Sequence, residues 1–179
     1  MSTDENYTPE SFINFALDAL GIKAFDLDPC SSLEANQIVR ANAFYTINHD
    51  GLERLWMARS IWMNPPFSNP APWVNRLARV RGAQWACLTS NDTSVPWARV
   101  LFQHATDAIF LAGRHQFWGP EQRRRRDEGK KVSNSRGSVI WLHTQRPVDV
   151  IANAMSKHRI EGDAVWLGKS KHVLGDEVF

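Results

Sequence analysis

Cysteine is scarce in these 179 residues: Cys30 and Cys87 are the only two, far apart and matching neither a zinc-ligand nor a Cys-x-x-Cys spacing. A disulfide-stapled scaffold is excluded, and two free thiols are expected. None of the six histidines pairs at a ligand spacing, so no metal centre is expected. No apolar run approaches the roughly 20 residues that span a bilayer. The opening MSTDENYTPE is polar and acidic, unlike a secretory leader. These absences point to the cytoplasm. Internal repeats and low-complexity tracts are also missing. The hydrophobic share of 43% against 22% charged is that of an ordinary globular protein, expected to form one domain over residues 1–179. Net charge is only +2, which by itself does not announce a polyanionic partner.

Helical and strand-like patterns alternate along the chain. Phe12, Ile13, Ala16, Leu17 and Leu20 recur at helical spacing between Pro9 and Gly21. A short strand is expected over Ala24–Leu27 with a turn at Asp28 and Pro29, then a helix over Leu33–Arg40 and a short strand at 43–46. SIWMN (60–64), QWACLT (84–89), DAIFLA (107–112) and SVIWLH (138–143) read as strands. Helices are expected near 71–80, 95–103 and 148–158. This order argues an α/β three-layer sandwich with a central, mostly parallel sheet. In such sheets ligands sit beyond the carboxyl ends of the strands. The polar stretches DPCSS, HDGL, NPPF and TSNDTS fall at or near such ends, so all four could face one crevice.

Asn64-Pro65-Pro66-Phe67 carries the most chemistry. Two prolines remove two backbone donors and hold φ, leaving the Asn64 side-chain oxygen and the Pro65 carbonyl as outward acceptors. That pair matches an exocyclic amino group, which donates two hydrogens. Accepting both frees the nitrogen lone pair and stabilises charge growing there. Phe67 offers a flat face for a base. Alone, the stretch reads as a proline-rich strand-to-helix turn, and the aromatic that follows is what lends it specificity. In FDLDPCSS, Asp26 and Asp28 can hold an ammonium or a ribose hydroxyl, and Ser31 and Ser32 let a ligand approach the backbone. Alone, this is also a helix-capping turn. Asp50 of HDGL, fourteen residues before Asn64, belongs to a common turn dipeptide. Trp62, Trp85, Trp141 and Trp166 sit in apolar contexts and read as core, whereas Trp97 and Trp118 could touch substrate.

Taken together and in order, YTP (7–9), FDLDPC (25–30), FYT with DGL (44–52), WMNPPF (62–67), Trp73, LTSNDTSVPW (88–97), FLAGRHQF (110–117) and GSVIWL (137–142) resemble the phage-type Dam-like DNA N6-adenine methyltransferase family. The resemblance covers nearly everything from Tyr7 to Leu142. It implies the Rossmann-like fold of S-adenosylmethionine-dependent methyltransferases, that cofactor, and double-stranded DNA as substrate with the target base flipped out. It further implies a phage or prophage protein working inside the host cell. Asn64, Pro65, Pro66 and Phe67 would form the catalytic segment. Tyr7, Thr8, Pro9, Asp26, Asp28, Pro29, Cys30 and Ser31 would hold the cofactor, with Asp28 near its ammonium. Asp50 and Leu52 would lie toward the adenosine or the target base, Thr93 and Trp97 on the far side, and Arg114 and Phe117 at the mouth. Two departures stand out: DPCSS has serines where a glycine-rich cofactor loop is usual, and no acid ends the second strand, although Glu34 could substitute. RNA or protein glutamine as substrate, and a non-catalytic DNA-binding relative, remain open alternatives, as do monomer and dimer.

Between Gln116 and Arg136 seven basic residues (Arg123, Arg124, Arg125, Arg126, Lys130, Lys131, Arg136) face three acidic ones, a local balance of +4. Such a segment, at about 115–136, is either a solvated loop or a phosphate-contacting arm. Only 36 residues separate Asp28 from Asn64, too few for a recognition domain between them. DNA contacts are therefore expected from the basic segment together with Arg114 and Phe117. Residues from about 146 to 179 are expected to form a short C-terminal extension.

Overall fold

Helix α1 (Glu10–Leu20) runs from Pro9 to Gly21, whose left-handed backbone lets its N–H and that of Ile22 close on the carbonyls of Asp18 and Leu17. The computed structural model describes residues 6–113 and 137–167, with positions 115, 117, 119, 127 and 128. Among these residues the chain is mixed α/β around one seven-stranded sheet. The strands are β1 (Leu27–Asp28), β2 (Ala43–Phe44), β3 (Ser60–Met63), β4 (Gln84–Ser90), β5 (Asp107–Leu111), β6 (Ser138–His143) and β7 (Gly162–Trp166). The remaining helices are α2 (Leu33–Val39), α3 (Ala71–Leu77), α4 (Pro96–His104) and α5 (Val148–Lys157).

Strand order is β2-β1-β3-β4-β6-β5-β7. The pairs β1–β2, β1–β3 and β3–β4 are parallel, whereas β4–β6, β5–β6 and β5–β7 are antiparallel. The expectation of a mostly parallel sheet is thus corrected, because half of the pairings are antiparallel. Hydrophobic periodicity reports which residues a strand buries, not the direction of its neighbour. Strand β1 also begins later than expected and includes Asp28.

Alternate residues of the strands feed two apolar clusters. Trp62, Ala86, Leu88, Ile109, Leu111, Ile140 and Leu142 join the buried faces of α1 and α5. Ile61, Met63, Trp85, Cys87, Ala108, Val139 and Trp141 join Val74 and Leu77 of α3 and Leu101 of α4. Trp62, Trp85 and Trp141 are core, as the sequence suggested. Residues 147–167 are no mere extension. Helix α5 packs on α1 through the shared cluster, and Asp18 accepts hydrogen bonds from both Lys157 (2.6 Å) and His158 (2.7 Å). Strand β7, which the pattern did not reveal, completes the sheet edge against β5.

The topology creates one special place. From β1 the chain moves outward to β2, then returns past β1 to build β3 on its other side. The loops after β1 and β3 therefore diverge, opening a crevice at the carboxyl ends of the strands.

Candidate functional site

That crevice holds a cavity of about 360 Å³. Four segments wall it: Asn6–Thr8 ahead of α1, Asp28–Ser32 after β1, Tyr45–Ile47 with Asp50 and Gly51 after β2, and Asn64 with Pro66 after β3. Val39, Trp62 and Trp73 complete the apolar share. The expectation that polar strand ends converge is met for three of the four stretches.

Asn64 is the sharpest feature. Its Nδ2 donates to the Asn6 carbonyl (2.8 Å) and to Thr8 Oγ1 (3.2 Å). Its Oδ1 is buried and has no hydrogen-bond partner among the described residues. Because a carbonyl can only accept, the Asn6 contact identifies the nitrogen end of the amide. The oxygen is left as an unspent acceptor at the cavity wall, and a buried acceptor without a partner costs about 1–3 kcal/mol.

Asp28, only 2% exposed, closes the floor. Burial pushes its carboxyl up to about 7, opposed by hydrogen bonds from Ser31 and from the Cys30 N–H (3.2 Å). A cation entering the cavity would repay that desolvation. Burial, followed by the neighbouring Asp28 and Cys87, pushes the Cys30 thiol well up, so it stays protonated and unreactive at neutral pH. Ser32 caps α2 by accepting from the Ala35 N–H (3.1 Å), which holds the 28–32 loop against the helix.

The 45–54 wall is braced from outside. Trp56 Nε1 donates to the Gly51 carbonyl (2.8 Å), and its ring stacks on Trp73 at 6.3 Å between centroids and 22° between planes. Arg76 lies 5.2 Å over the Trp56 ring and donates to the carbonyls of Leu52 and Arg54. Gly51 is needed for close approach: a Cβ there would stand 2.0 Å from the Pro29 carbonyl oxygen and 3.1 Å from the Trp73 ring. The loops after β1 and β2 thus touch through backbone alone.

Among the sequence-derived candidates, Tyr7, Thr8, Asp28, Pro29, Cys30, Ser31, Asp50, Asn64 and Pro66 line the cavity. Pro9, Leu52, Pro65 and Phe67 adjoin it without lining it; Pro9 starts α1 and Leu52 is held by Arg76. Asp26 requires correction. Its carboxylate accepts from the N–H groups of Arg59 and Ser60 (both 3.0 Å), at the opposite end of β3 from the cavity. It ties β1 to β3 and is not placed to hold a ligand. Phe117 requires another. It is 0% exposed and meets Phe67 edge-on at 5.8 Å, so it supports Phe67 from the core instead of standing at the mouth. Trp97 packs against the cluster that holds α3 and α4. Arg114, Arg123, Arg124, Arg125, Arg126, Lys130, Lys131 and Arg136 lie outside the described residues.

Sequence reasoning gave no site role to Asn6, Tyr45, Ile47 or Trp73, although Tyr45 and Trp73 are among the residues that carry the resemblance. Tyr45 and Ile47 follow β2, so the strand-end rule applied to 43–46 would have found them. Ile47 is 88% exposed, an unusual position for a large apolar side chain beside a cavity. Asn6 acts through its carbonyl and has no side-chain signature. Among the described residues no group of three or more His, Cys, Asp or Glu could hold a metal ion, and no helix is long and apolar enough to cross a membrane.

Two comparisons bear on this geometry. The family model described as DNA N-6-adenine-methyltransferase (Dam) matches residues 2–165. A DNA N-6-adenine-methyltransferase of Haemophilus phage HP1 (strain HP1c1) is 32% identical over 107 residues, 58% of this chain. The aligned stretch spans 60% of that relative's length.

Proposed function

Because the chain belongs to the Dam family of DNA N-6-adenine-methyltransferases, we propose that it methylates the N6 amino group of adenine in DNA, using S-adenosylmethionine. The observation that carries this reading is the unspent Asn64 Oδ1, left without a partner in a residue that lines the cavity while its nitrogen is held by two acceptors. Helices on both faces of a sheet whose crevice lies at a strand-order reversal fit a three-layer, Rossmann-like methyltransferase architecture.

The cavity residues fit the proposed cofactor. Asp28 would hold its ammonium, because a buried carboxylate without a cation is strained toward protonation. Tyr45, Ile47 and Val39 would cover its adenosine with apolar surface. When bound, S-adenosylmethionine supplies an electrophilic methyl group. Asn64 Oδ1 and the Pro65 carbonyl accept the two hydrogens of the amino group and orient its lone pair. The Asn64 amide is held before reaction by its two acceptors, so it stabilises charge on nitrogen without reorganising. Phe67, backed by Phe117, offers its face to the base. Neither cysteine is needed as a nucleophile, in keeping with direct transfer.

An adenine in duplex DNA pairs through N6, so it must leave the stack, at a cost of a few kcal/mol. Strand β5 runs parallel to β4, and β6 returns beside Ser90, so Leu111 and Ser138 both stand at the cavity edge of the sheet. The segment between them carries the seven basic residues counted above, and phosphate contact is the role we assign them.

Transfer of labelled methyl groups from S-adenosylmethionine to duplex DNA, RNA and protein, with identification of the product base, tests the proposal. N6-methyladenine in DNA is expected, lost in Asn64→Ala. Label only in RNA or protein would overturn the substrate, and an active Asn64→Ala would overturn the mechanism.

A further inference from the structure

The orientation of the Asn64 amide is set by residues 56 and 58 positions earlier in the chain. A carboxamide has two ends of nearly equal size, and one half-turn about its last side-chain bond would exchange them. For an amino group to be held, the oxygen must face the cavity. The Asn6 carbonyl forbids the flipped form, since two oxygens would then meet without a hydrogen between them. Thr8 Oγ1 adds a second acceptor at 3.2 Å, from a residue only 5% exposed.

We infer that Thr8 is a positioning residue for methyl transfer, acting with the Asn6 carbonyl to keep the nitrogen of Asn64 engaged and Oδ1 as the unspent end of the amide. This rests on the reading of Asn64 given above and adds a role that a cofactor contact alone would not require. It also joins the two ends of the site. Thr8 lines the same cavity as Asp28, so the segment that touches a bound ligand is the one that aligns the catalytic amide. Replacing the hydroxyl by a methyl leaves the amide nitrogen with the Asn6 carbonyl as its acceptor, so the amide plane is held less firmly. Serine keeps the acceptor.

The test compares Thr8→Val, Thr8→Ser, Asn64→Ala and the double variant Thr8→Val/Asn64→Ala. Single-turnover rates are measured together with the Kd for S-adenosylhomocysteine. In Thr8→Val the rate should fall about tenfold, the worth of one aligned hydrogen bond, with Kd changed less than about twofold. Thr8→Ser should return the rate to near the parent value, and the double variant should be no slower than Asn64→Ala. A second readout needs no ligand: hydrogen exchange of the Asn64 side-chain NH2, followed by NMR, should accelerate in Thr8→Val and not in Thr8→Ser. Should Thr8→Val fold poorly, Thr8→Ala removes the acceptor without a branched methyl and carries the same expectations. A parent rate in a folded variant lacking the hydroxyl, or a loss residing wholly in Kd, overturns the inference. If Asn64→Ala itself remains active, the reading of Asn64 fails first, whatever Thr8 does.

Discussion

Asp28 and Asp107 are both buried carboxylates at strand ends, one in the parallel half of the sheet and one in the antiparallel half, and burial raises both. Their surroundings differ in kind. Asp107 opens β5 at the edge opposite the cavity, where Thr106 Oγ1 donates to it at 2.6 Å. Around it, the Thr144 N–H donates to Thr106 Oγ1, His143 Nδ1 meets the His104 carbonyl at 2.7 Å, and Trp141 Nε1 donates to Thr89. These polar groups are matched within the fold. In the parallel half, all four strands end at the same edge, and two groups there remain undercompensated: the Asp28 carboxylate and the Asn64 carbonyl oxygen. Parallel pairing gathers strand ends and their unmet electrostatics in one place, whereas antiparallel pairing distributes and satisfies them.

The largest effect expected from attacking this contrast is Asn64→Ala. Removing a preorganised acceptor should slow transfer by about a hundredfold to a thousandfold, while calorimetry shows cofactor affinity retained. Loss of cofactor binding in that variant would mean that the amide serves the wrong partner in our scheme.

Next comes Asp28→Asn. Taking the charge from a desolvated ion pair should weaken cofactor binding by at least about thirtyfold. The same substitution should stabilise the ligand-free protein in alkali. The folded carboxyl titrates near 7 and the unfolded one near 3.8, so the folded chain holds an extra proton between these values. Stability of the parent therefore falls as pH rises through that window, with the full penalty, roughly 4 kcal/mol at most, present above pH 7. Thermal unfolding at pH 5 and pH 8 should show a gap in the parent that Asp28→Asn narrows. Cofactor affinity of the parent should instead drop about tenfold for each pH unit below 7, and a flat profile would remove Asp28 from the cation site.

Gly51→Ala is a smaller perturbation. Its methyl meets the Pro29 carbonyl and the Trp73 ring, so about 1–3 kcal/mol of stability should be lost by overpacking. Denaturant titration would measure that loss, and cofactor Kd should rise with it. Asp107→Asn closes the series. It should leave transfer rate and Kd at parent values, because its carboxylate is spent inside the fold. An activity loss there comparable with that of Asp28→Asn would erase the distinction between the halves.

Much of this was legible in the sequence, for reasons that differ by element. Helix α1 shows a full amphipathic stripe with a glycine stop, and β4 and β6 are continuous apolar runs, so their limits emerged nearly intact. Strand β7 is short and solvent-facing, and its residues include Gly162 and Asp163; only pairing with β5 makes it a strand. Asn64 was legible only in company: alone its stretch reads as a turn, and its place after FDLDPC and DGL singled it out. Asp26 and Asp28, two residues apart, looked equivalent, yet a long-range tie to Ser60 claims the first. Phe117 looked exposed beside a basic run, yet it belongs to the core cluster and meets Phe67, 50 positions earlier. Local pattern reads surfaces, but it cannot read which distant backbone will consume a side chain.

The stacked pair Trp56 and Trp73 has an optical consequence. Two indoles nearly coplanar at 6.3 Å lie close enough for their transitions to couple, and one of them faces the cavity. Near-ultraviolet circular dichroism should therefore carry a signal from this pair that changes when the cavity fills. Such a change on titrating S-adenosylhomocysteine would make the pair a label-free reporter of occupancy.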